Sequence, residues 1–412
     1  MNKKVAYSTV FLLTLIYILS FLDRQIVAVL AVPIRDALSL NNFQSGLLYG
    51  PAFSFIYALA GIPMGRIADN TSRKGMICLG LLIWSLMTVL SGFAASFIFL
   101  VTARIFVGLS QAMLSPAVYS YLADTFTPEK RATIFSFYAS GIFIGIGLSF
   151  LIGGSIALNY DWRVSMISVG LPGVLLAPVA WWVIREPERK STETPPHSTI
   201  LAELRILLLK PALRWHLLGF SFLACTGYTI LSFAGNVFSD VFNRPDLIPM
   251  FGWFMFGVGI TVILSGKAAD YFARKSPEKR FYSGLIAALG GVPFYYVGLF
   301  HTDADTAYFL IGAGVLISSS YNGVAAALIQ YFVLPGQRAL AGGLYLFVIS
   351  IAGFGLGPPL AGWLTDFIFT GTYAVSYAIF SVLCVCGAGA TVSFIFAMKN
   401  YAADAVQPQA PS

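Results

Sequence analysis

One aspartate and two arginines lie inside otherwise apolar stretches of this 412-residue chain. Asp23 and Arg24 fall within YILSFLDRQIVAVL, and Arg104 falls within the apolar run 97–122. Charges in hydrocarbon are costly and rare, and the default reading of such a group is functional. A guanidinium offers a planar fork that fits a phosphate or a carboxylate. Burial penalises a charged carboxylate and a neighbouring guanidinium favours it, a balance under which Asp23 is a candidate for proton exchange. Arg104, Gly108, Gln111 and Ser115 stand at i, i+4, i+7 and i+11, which puts them on one helix face turned into the protein. With the N-terminus cytoplasmic, Asp23 sits ~6 Å and Arg104 ~9 Å to the outer side of their helix midpoints, so the three charges are expected at similar depth in one buried polar cluster. Two plainer readings stand beside this: a structural Asp–Arg pair between helices, and an Arg24 side chain that snorkels outward.

The elements that must position these groups follow from composition. Hydrophobic residues make up 58% of the chain and charged residues 10%, against about 25% charged in an ordinary soluble domain. Apolar runs recur at 7–31, 43–67, 76–95, 97–122, 132–157, 163–184, 213–238, 248–271, 281–300, 306–332, 339–364 and 373–398. Each is about 20 residues or longer, enough to cross a ~30 Å hydrocarbon core as helix, and a spanning segment must satisfy its own backbone polar groups. The expected fold is therefore an all-α membrane protein of twelve transmembrane helices. The 39 glycines suit close helix packing in lipid.

The net charge of +7 is a topology signal and implies no nucleic-acid partner. Of the 25 Lys and Arg, Arg35, Arg163 and Arg244 fall outside and Arg24 and Arg104 within the membrane; all the others fall at cytoplasmic ends and loops if the N-terminus is inside. That bias sets the orientation, with both termini cytoplasmic. The lysines before the first apolar run resemble a signal peptide, but the run is too long and lacks a clear cleavage site, so an uncleaved first helix is expected. Cys78, Cys225, Cys384 and Cys386 all sit in apolar spans as packing residues, with no metal or disulfide spacing. There is no P-loop, no metal-ligand cluster and no triad among only three histidines, so no enzyme, no catalytic residue, no metal and no cofactor is expected.

The polar stretch REPERKSTETPPHSTILAELRILLLKPA divides the chain. The expected organisation is a six-helix bundle over 1–184, a cytoplasmic linker over 185–212, a second six-helix bundle over 213–398 and a cytoplasmic tail over 399–412. A short pattern marks the two halves as repeats. Gly65-Arg-Ile-Ala-Asp69-Asn-Thr-Ser-Arg73-Lys74 follows the second span, and Gly266-Lys-Ala-Ala-Asp270-Tyr-Phe-Ala-Arg274-Lys275 follows the eighth in the same register. Internal repeats of this kind mark secondary transporters, with the solute site at the repeat interface. A carboxylate ending one helix and cations starting the next are disfavoured by local dipoles. These charges are therefore expected to find partners on the opposite half, as a latch; a positive-inside loop is the plainer reading. Asp124, at the cytoplasmic end of the fourth span, joins the expected cytoplasmic gate of Gly65, Asp69, Arg73, Lys74, Asp270 and Arg274.

Other polar and aromatic residues are weaker candidates. Asn236 and Asn322 line a cavity or bond across helices. Tyr17, Tyr49, Phe53, Tyr57, Tyr119, Tyr138 and Tyr228 floor an amphiphile site, or each is packing or an interface anchor. His216 and His301 are expected at the membrane interface, and His197 lies in the linker.

These residues resemble the major facilitator superfamily and, within it, the Spinster branch. The doubled Gly-x-x-x-Asp-x-x-x-Arg-Lys is similar to the superfamily's loop signature, and Arg104-Ile-Phe-Val-Gly108 up to Pro116 to its fourth-helix signature. The Spinster likeness rests on Leu22-Asp23-Arg24-Gln25, GLLYGPAFSFIYALAGIPMGRIAD, ARIFVGLSQAMLSPAVYSYLADTF, GIGLSFLIGG with Asp161-Trp162-Arg163, and GYTILSFAGNVFSDVF in the seventh span. The resemblance implies proton-linked transport of lysophospholipids or sphingosine-phosphate-like lipids, with Asp23 the proton-sensitive acid, Arg24 its partner and Arg104 the essential fourth-helix cation. One departure stands out. The family's Glu in Gly-Glu-Ala is replaced here by Gln111 in Ser110-Gln111-Ala112. Either coupling runs through Asp23 alone, or the chain mimics the protonated state.

The expected function is thus proton-linked, alternating-access transport of an amphiphilic anion by a monomer in a bacterial inner membrane. Arg24 and Arg104 would meet the headgroup, and the bilayer, protons and the small amphiphile would be its partners. A sugar-acid proton symporter of the same superfamily is the alternative, and a non-transporting membrane receptor or scaffold the alternative of another class.

Overall fold

The computed structural model describes residues 3–186, 200–274, 276–333 and 338–404. These residues build α1 (Lys3–Val29), α2 (Ala31–Ala37), α3 (Asn42–Tyr49), α4 (Pro51–Asn70), α5 (Arg73–Ser91), α6 (Phe97–Gln111), α7 (Leu114–Thr125), α8 (Pro128–Ala139), α9 (Gly141–Leu148), α10 (Ser155–Asn159) and α11 (Trp162–Val183) in the first half. After α12 (Ile200–Leu209) come α13 (Pro211–Asn236), α14 (Leu247–Met250), α15 (Gly252–Ala273), α16 (Tyr282–Gly290), α17 (Val292–Leu299), α18 (Ala304–Ser318), α19 (Asn322–Leu328), α20 (Arg338–Ile349), α21 (Gly357–Phe367) and α22 (Ala374–Asp404). Wider π-type turns at Ser149–Gly154, Val237–Val241 and Ser350–Leu356 carry the chain on without a break.

Among the described residues, 11 helices are long and apolar enough to cross a membrane. The stretch expected as the second span is not one of them. It is built as α3 and α4, separated at Gly50, with Pro51 opening α4 where its missing N–H costs nothing. Polar caps start the helices where the chain re-enters the apolar layer. Ser72, Ser96, Asp161 and Asp303 accept from backbone N–H groups of α5, α6, α11 and α18, and Asn41 and Gln44 form a reciprocal capping box on α3. Each satisfies an end group that hydrocarbon would leave bare.

The chain forms two compact units, Met1–Glu193 with Ser232–Phe256, and Thr194–Leu231 with Gly257–Ser412. The boundary between them falls inside α13 and again inside α15. In the first unit, α1 packs along α9 and α11 packs along α5. Gly145 of α9 has no room for a side chain, because a Cβ there would overlap the Ile18 carbonyl oxygen. The two backbones meet directly, about one turn before Asp23 on α1.

The second unit has an aromatic core at the end where its linker enters. Phe220, Phe281, Phe332, Phe394 and Tyr401 are all buried there. His216 sits fully inside it, its ring 4.8 Å from that of Phe220 and 5.9 to 6.0 Å from those of Phe281, Phe332 and Tyr345. This corrects the interfacial position expected for His216. Phe281 of the Pro277–Phe281 turn and Phe332 of the 329–332 turn pack against the imidazole, which has no exposed surface. The same end is tied by Asp404, which accepts from the Ala212 N–H at 2.5 Å, and by Lys210, which donates to the Phe332 carbonyl at 2.6 Å. The last helix therefore runs on to Asp404, past the end expected at 398.

Candidate functional site

Asp23 and Arg24 are neighbours on α1, and the ~100° step of an α-helix sends them to different neighbours. Asp23 is 2% exposed and turns to α5, where the Thr88 hydroxyl donates to its Oδ1. Its Oδ2 is buried, and among the described residues nothing donates to it. Arg24 is half-buried and turns to α4 and α6. Its Nε and Nη2 donate to Gln111 Oε1 at 3.4 and 3.2 Å. The guanidinium carbon lies 4.5, 4.7 and 4.6 Å from the ring centroids of Phe21, Phe53 and Tyr57. Three rings so placed hold a cation by their quadrupoles.

Arg104 of α6 is also 2% exposed. Its Nη1 and Nη2 donate to the main-chain carbonyls of Asp23 and Arg24 at 3.3 and 3.1 Å, and its guanidinium lies 5.2 Å above Phe53. A helical carbonyl has a second lone pair, so α1 accepts both bonds without losing its own ladder. Gln111 completes the grip by donating from Nε2 to the Ser20 carbonyl at 3.2 Å. Gly108 lets α6 come this close to α4: a Cβ there would lie 2.7 Å from the Phe53 carbonyl oxygen.

The three charges expected at one depth thus meet in one cluster, and Arg24 does not snorkel away. The cluster is held by carbonyls rather than by an Asp–Arg ion pair. Among the described residues no carboxylate lies within ion-pair distance of Arg24 or Arg104. Two fixed cations against one carboxylate leave an excess of positive charge, which suits an anion.

The aromatic candidates divide. Phe53 and Tyr57 stack on each other at 5.3 Å beneath Arg24. Tyr17 stacks on Tyr138 at 4.1 Å and meets Phe21 edge-on, and Tyr119 meets Tyr138 edge-on. Phe21, Tyr17, Tyr138 and Tyr119 thus form one run of touching rings beside Arg24, and Phe53 and Tyr57 form a second pair against the same guanidinium. Tyr49 is buried elsewhere, against Phe233. Tyr228 and Asn322 belong to the second unit, where Tyr228 packs edge-on against Phe354 and Asn322 donates to the Ser319 carbonyl. Asn236 is fully buried and donates to Asp240 at 3.4 Å.

The expected gate residues of the first half form a tight network within that half. Arg73, at the start of α5, donates to Asp124 Oδ2 at 2.6 Å and to the Ser120 carbonyl at 3.2 Å. Glu186 accepts from the N–H groups of Arg73 and Lys74 and from the Ser72 hydroxyl. The cations at this helix start are thus offset by a carboxylate on the helix N-terminus, where the dipole favours one. In this structure Arg73 is paired within its own half, because α7 brings Asp124 to the end where α5 begins. The side chains of Asp69 and Lys275 lie outside the described residues. In the second copy, Asp270 is exposed and lies 3.8 Å from Arg280, while Arg274 lies over Tyr271. Gly65 and Gly266 face open space.

Three participants carry no signal in the sequence: Thr88, Glu186, and the Arg35–Asp240 pair at the far end of the first unit. Arg35 Nη1 and Nη2 donate to the two oxygens of Asp240 at 2.6 and 2.9 Å. This carboxylate holds the Arg35 guanidinium's pKa above its ordinary value. Among the described residues no group of three His, Cys, Asp or Glu side chains is placed to hold a metal.

Comparison with known proteins agrees with this architecture. Residues 13–355 match the family model of the Major Facilitator Superfamily. The chain is 25% identical over 407 residues to an MFS-type efflux pump of Mycolicibacterium smegmatis, covering 98% of this chain and 95% of that protein. It is 27% identical over 393 residues to protein spinster homolog 1 of Xenopus tropicalis, covering 88% and 73%. To the hexuronate transporter of Bacillus subtilis it is 25% identical over 412 residues, covering 96% of each. The solved structure of a bacterial homologue of the human lysosomal transporter Spinster, inward-facing and unoccupied, superposes with a TM-score of 0.87 at 24% identity, over 99% of this chain and 100% of that one. With its multi-pass helical fold and a family match from residue 13 to residue 355, the chain belongs to the Major Facilitator Superfamily, as a transporter related to Spinster proteins and to sugar-acid transporters.

Proposed function

We propose that this transporter carries an amphiphilic anion of the lysophospholipid or sphingosine-phosphate type across a bacterial inner membrane by proton-linked alternating access, with both termini cytoplasmic. The observation that carries the proposal is Arg24: a half-buried guanidinium with no carboxylate partner among the described residues, set among Phe21, Phe53 and Tyr57 and beside the run of touching rings that starts at Phe21. Its donors receive the anionic headgroup, and the aromatic and aliphatic surface takes the tail. Arg104 holds α1 in register and adds positive charge. Asp23 takes up and releases the coupled proton. The network of Arg73, Asp124 and Glu186 acts as the first half's part of a cytoplasmic gate.

A second reading, proton symport of a sugar acid, is favoured by the hexuronate transporter among the relatives. Its site should be densely polar, because a hydroxyl-rich substrate must be hydrogen-bonded throughout, whereas the surroundings of Arg24 are mostly rings. Reconstituted protein separates the readings. Labelled lysophospholipid and labelled hexuronate are supplied to proteoliposomes with and without an inward proton gradient. Gradient-stimulated lysophospholipid movement supports the proposal, hexuronate uptake alone supports the second reading, and binding without flux of either indicates a receptor.

A further inference from the structure

Thr88 is buried on α5 and sends its hydroxyl to Asp23 on α1. We infer that Thr88 is a positioning residue for the proton-linked step, holding the Asp23 carboxylate on the α5 side of α1, where among the described residues it makes no ion pair with either guanidinium. The inference rests on the proposed role of Asp23 as proton carrier.

The hydroxyl's choice of partner is the first support. Ser and Thr in helices usually bond back to the carbonyl one turn earlier. Ser91 does so to Met87, Thr125 to Tyr121 and Thr365 to Ala361. Thr88 reaches across to another helix instead. The second support is what surrounds the carboxylate. The charged groups near it are Arg104 from α6 and Arg24 on its own helix. Both direct their donors elsewhere, Arg104 to main-chain carbonyls and Arg24 to Gln111. Among the described residues Thr88 is therefore the side chain that donates to Asp23, which leaves Oδ2 as the oxygen to take the proton.

The third support is the rigidity of α5. One turn before Thr88, Ser85 is wedged against α11, where a Cβ on Gly173 would collide with its Oγ and a Cβ on Gly170 would lie 2.7 Å from its carbonyl oxygen. At its other end, α5 is fixed by Glu186 and Asp124. Thr88 thus joins a titrating group on α1 to a helix held at two points. A hydroxyl donates more strongly to a carboxylate than to a carboxyl. Protonation of Asp23 therefore loosens the α1–α5 tie, and deprotonation restores it.

The test uses the full-length protein in liposomes and needs no substrate. The infrared carboxyl C=O band that disappears in Asp23→Asn is followed against pH. Thr88→Val keeps the shape and removes the donor, and should move the midpoint of that band to higher pH by about one unit, a roughly tenfold change in proton affinity. Thr88→Ser keeps the donor and should restore the wild-type midpoint. Thr88→Ala serves as a second donor-free variant if the valine protein does not fold. A wild-type midpoint in a folded donor-free variant overturns the inference and leaves Asp23 as the proton carrier. A carboxyl band that persists unchanged in Asp23→Asn overturns the proposed role of Asp23 and this inference with it.

Discussion

Gln111 accepts from Arg24 at 3.2 and 3.4 Å, so a neutral amide fills a place where a carboxylate would make a buried ion pair. The amide keeps the geometry and leaves the cation uncompensated. Gln111→Glu should therefore add a second titrating group to the cluster, and the pH profile of uptake should steepen as two coupled protons replace one. Uptake at high pH should fall, because the introduced carboxylate, once charged, competes with the anionic substrate for the donors of Arg24. An unchanged profile would make position 111 a spacer between α1 and α6.

Arg104 grips two successive carbonyls of α1, which needs a planar fork. Arg104→Lys keeps the charge and loses that geometry. A charge-assisted hydrogen bond contributes about 1.5–3 kcal/mol, so losing one should lower uptake by at least about tenfold and reduce the thermal stability of the first unit. Uptake at the wild-type rate in the lysine variant would mean that Arg104 acts as a point charge alone.

Phe53 and Tyr57, stacked on each other, both lie against the Arg24 guanidinium. Each cation–π contact at a partly buried site is worth about 0.5–2 kcal/mol. Tyr57→Leu should raise the KM for the anion by roughly three- to tenfold while the maximal rate changes little. A change confined to the maximal rate would remove Tyr57 from the binding site.

The Arg35–Asp240 pair is two-pronged yet partly exposed, at 17% and 28% of the side-chain surface. Exposed pairs contribute at most about 1 kcal/mol. A double-mutant cycle with Arg35→Gln and Asp240→Asn, followed by thermal unfolding in detergent, should give a coupling of about that size that vanishes in about 1 M salt. Additive effects of the two changes would show that the pair is incidental to the seating of the 232–256 segment on the first half.

Much of this architecture is legible in the sequence alone. Hydrocarbon admits few solutions, so length and apolarity mark the spans, and helix rise places Asp23, Arg24 and Arg104 at one depth. The same arithmetic reaches Thr88. The apolar run 76–95 puts Thr88 ~4 Å to the outer side of its midpoint, near the depth of Asp23. It gives no signal because a lone threonine in an apolar helix carries no charge and ordinarily bonds to its own backbone. Glu186 is hidden differently: it stands among charged linker residues, and only the approach of the α11 end to the start of α5 makes it a cap. The dipole argument says that Arg73 needs a partner without naming it, and helix packing within one bundle supplies Asp124. His216 misleads through its position near a span end, which usually favours the interface; turns distant in sequence bury it here.

The central claim is that Asp23 carries the coupled proton. The most direct measurement is lysophospholipid movement in proteoliposomes by wild type and Asp23→Asn, with and without an imposed pH gradient. The account predicts gradient-stimulated movement by the wild type, and slower, gradient-independent movement by the variant. A variant that still responds to the gradient as the wild type does would contradict it.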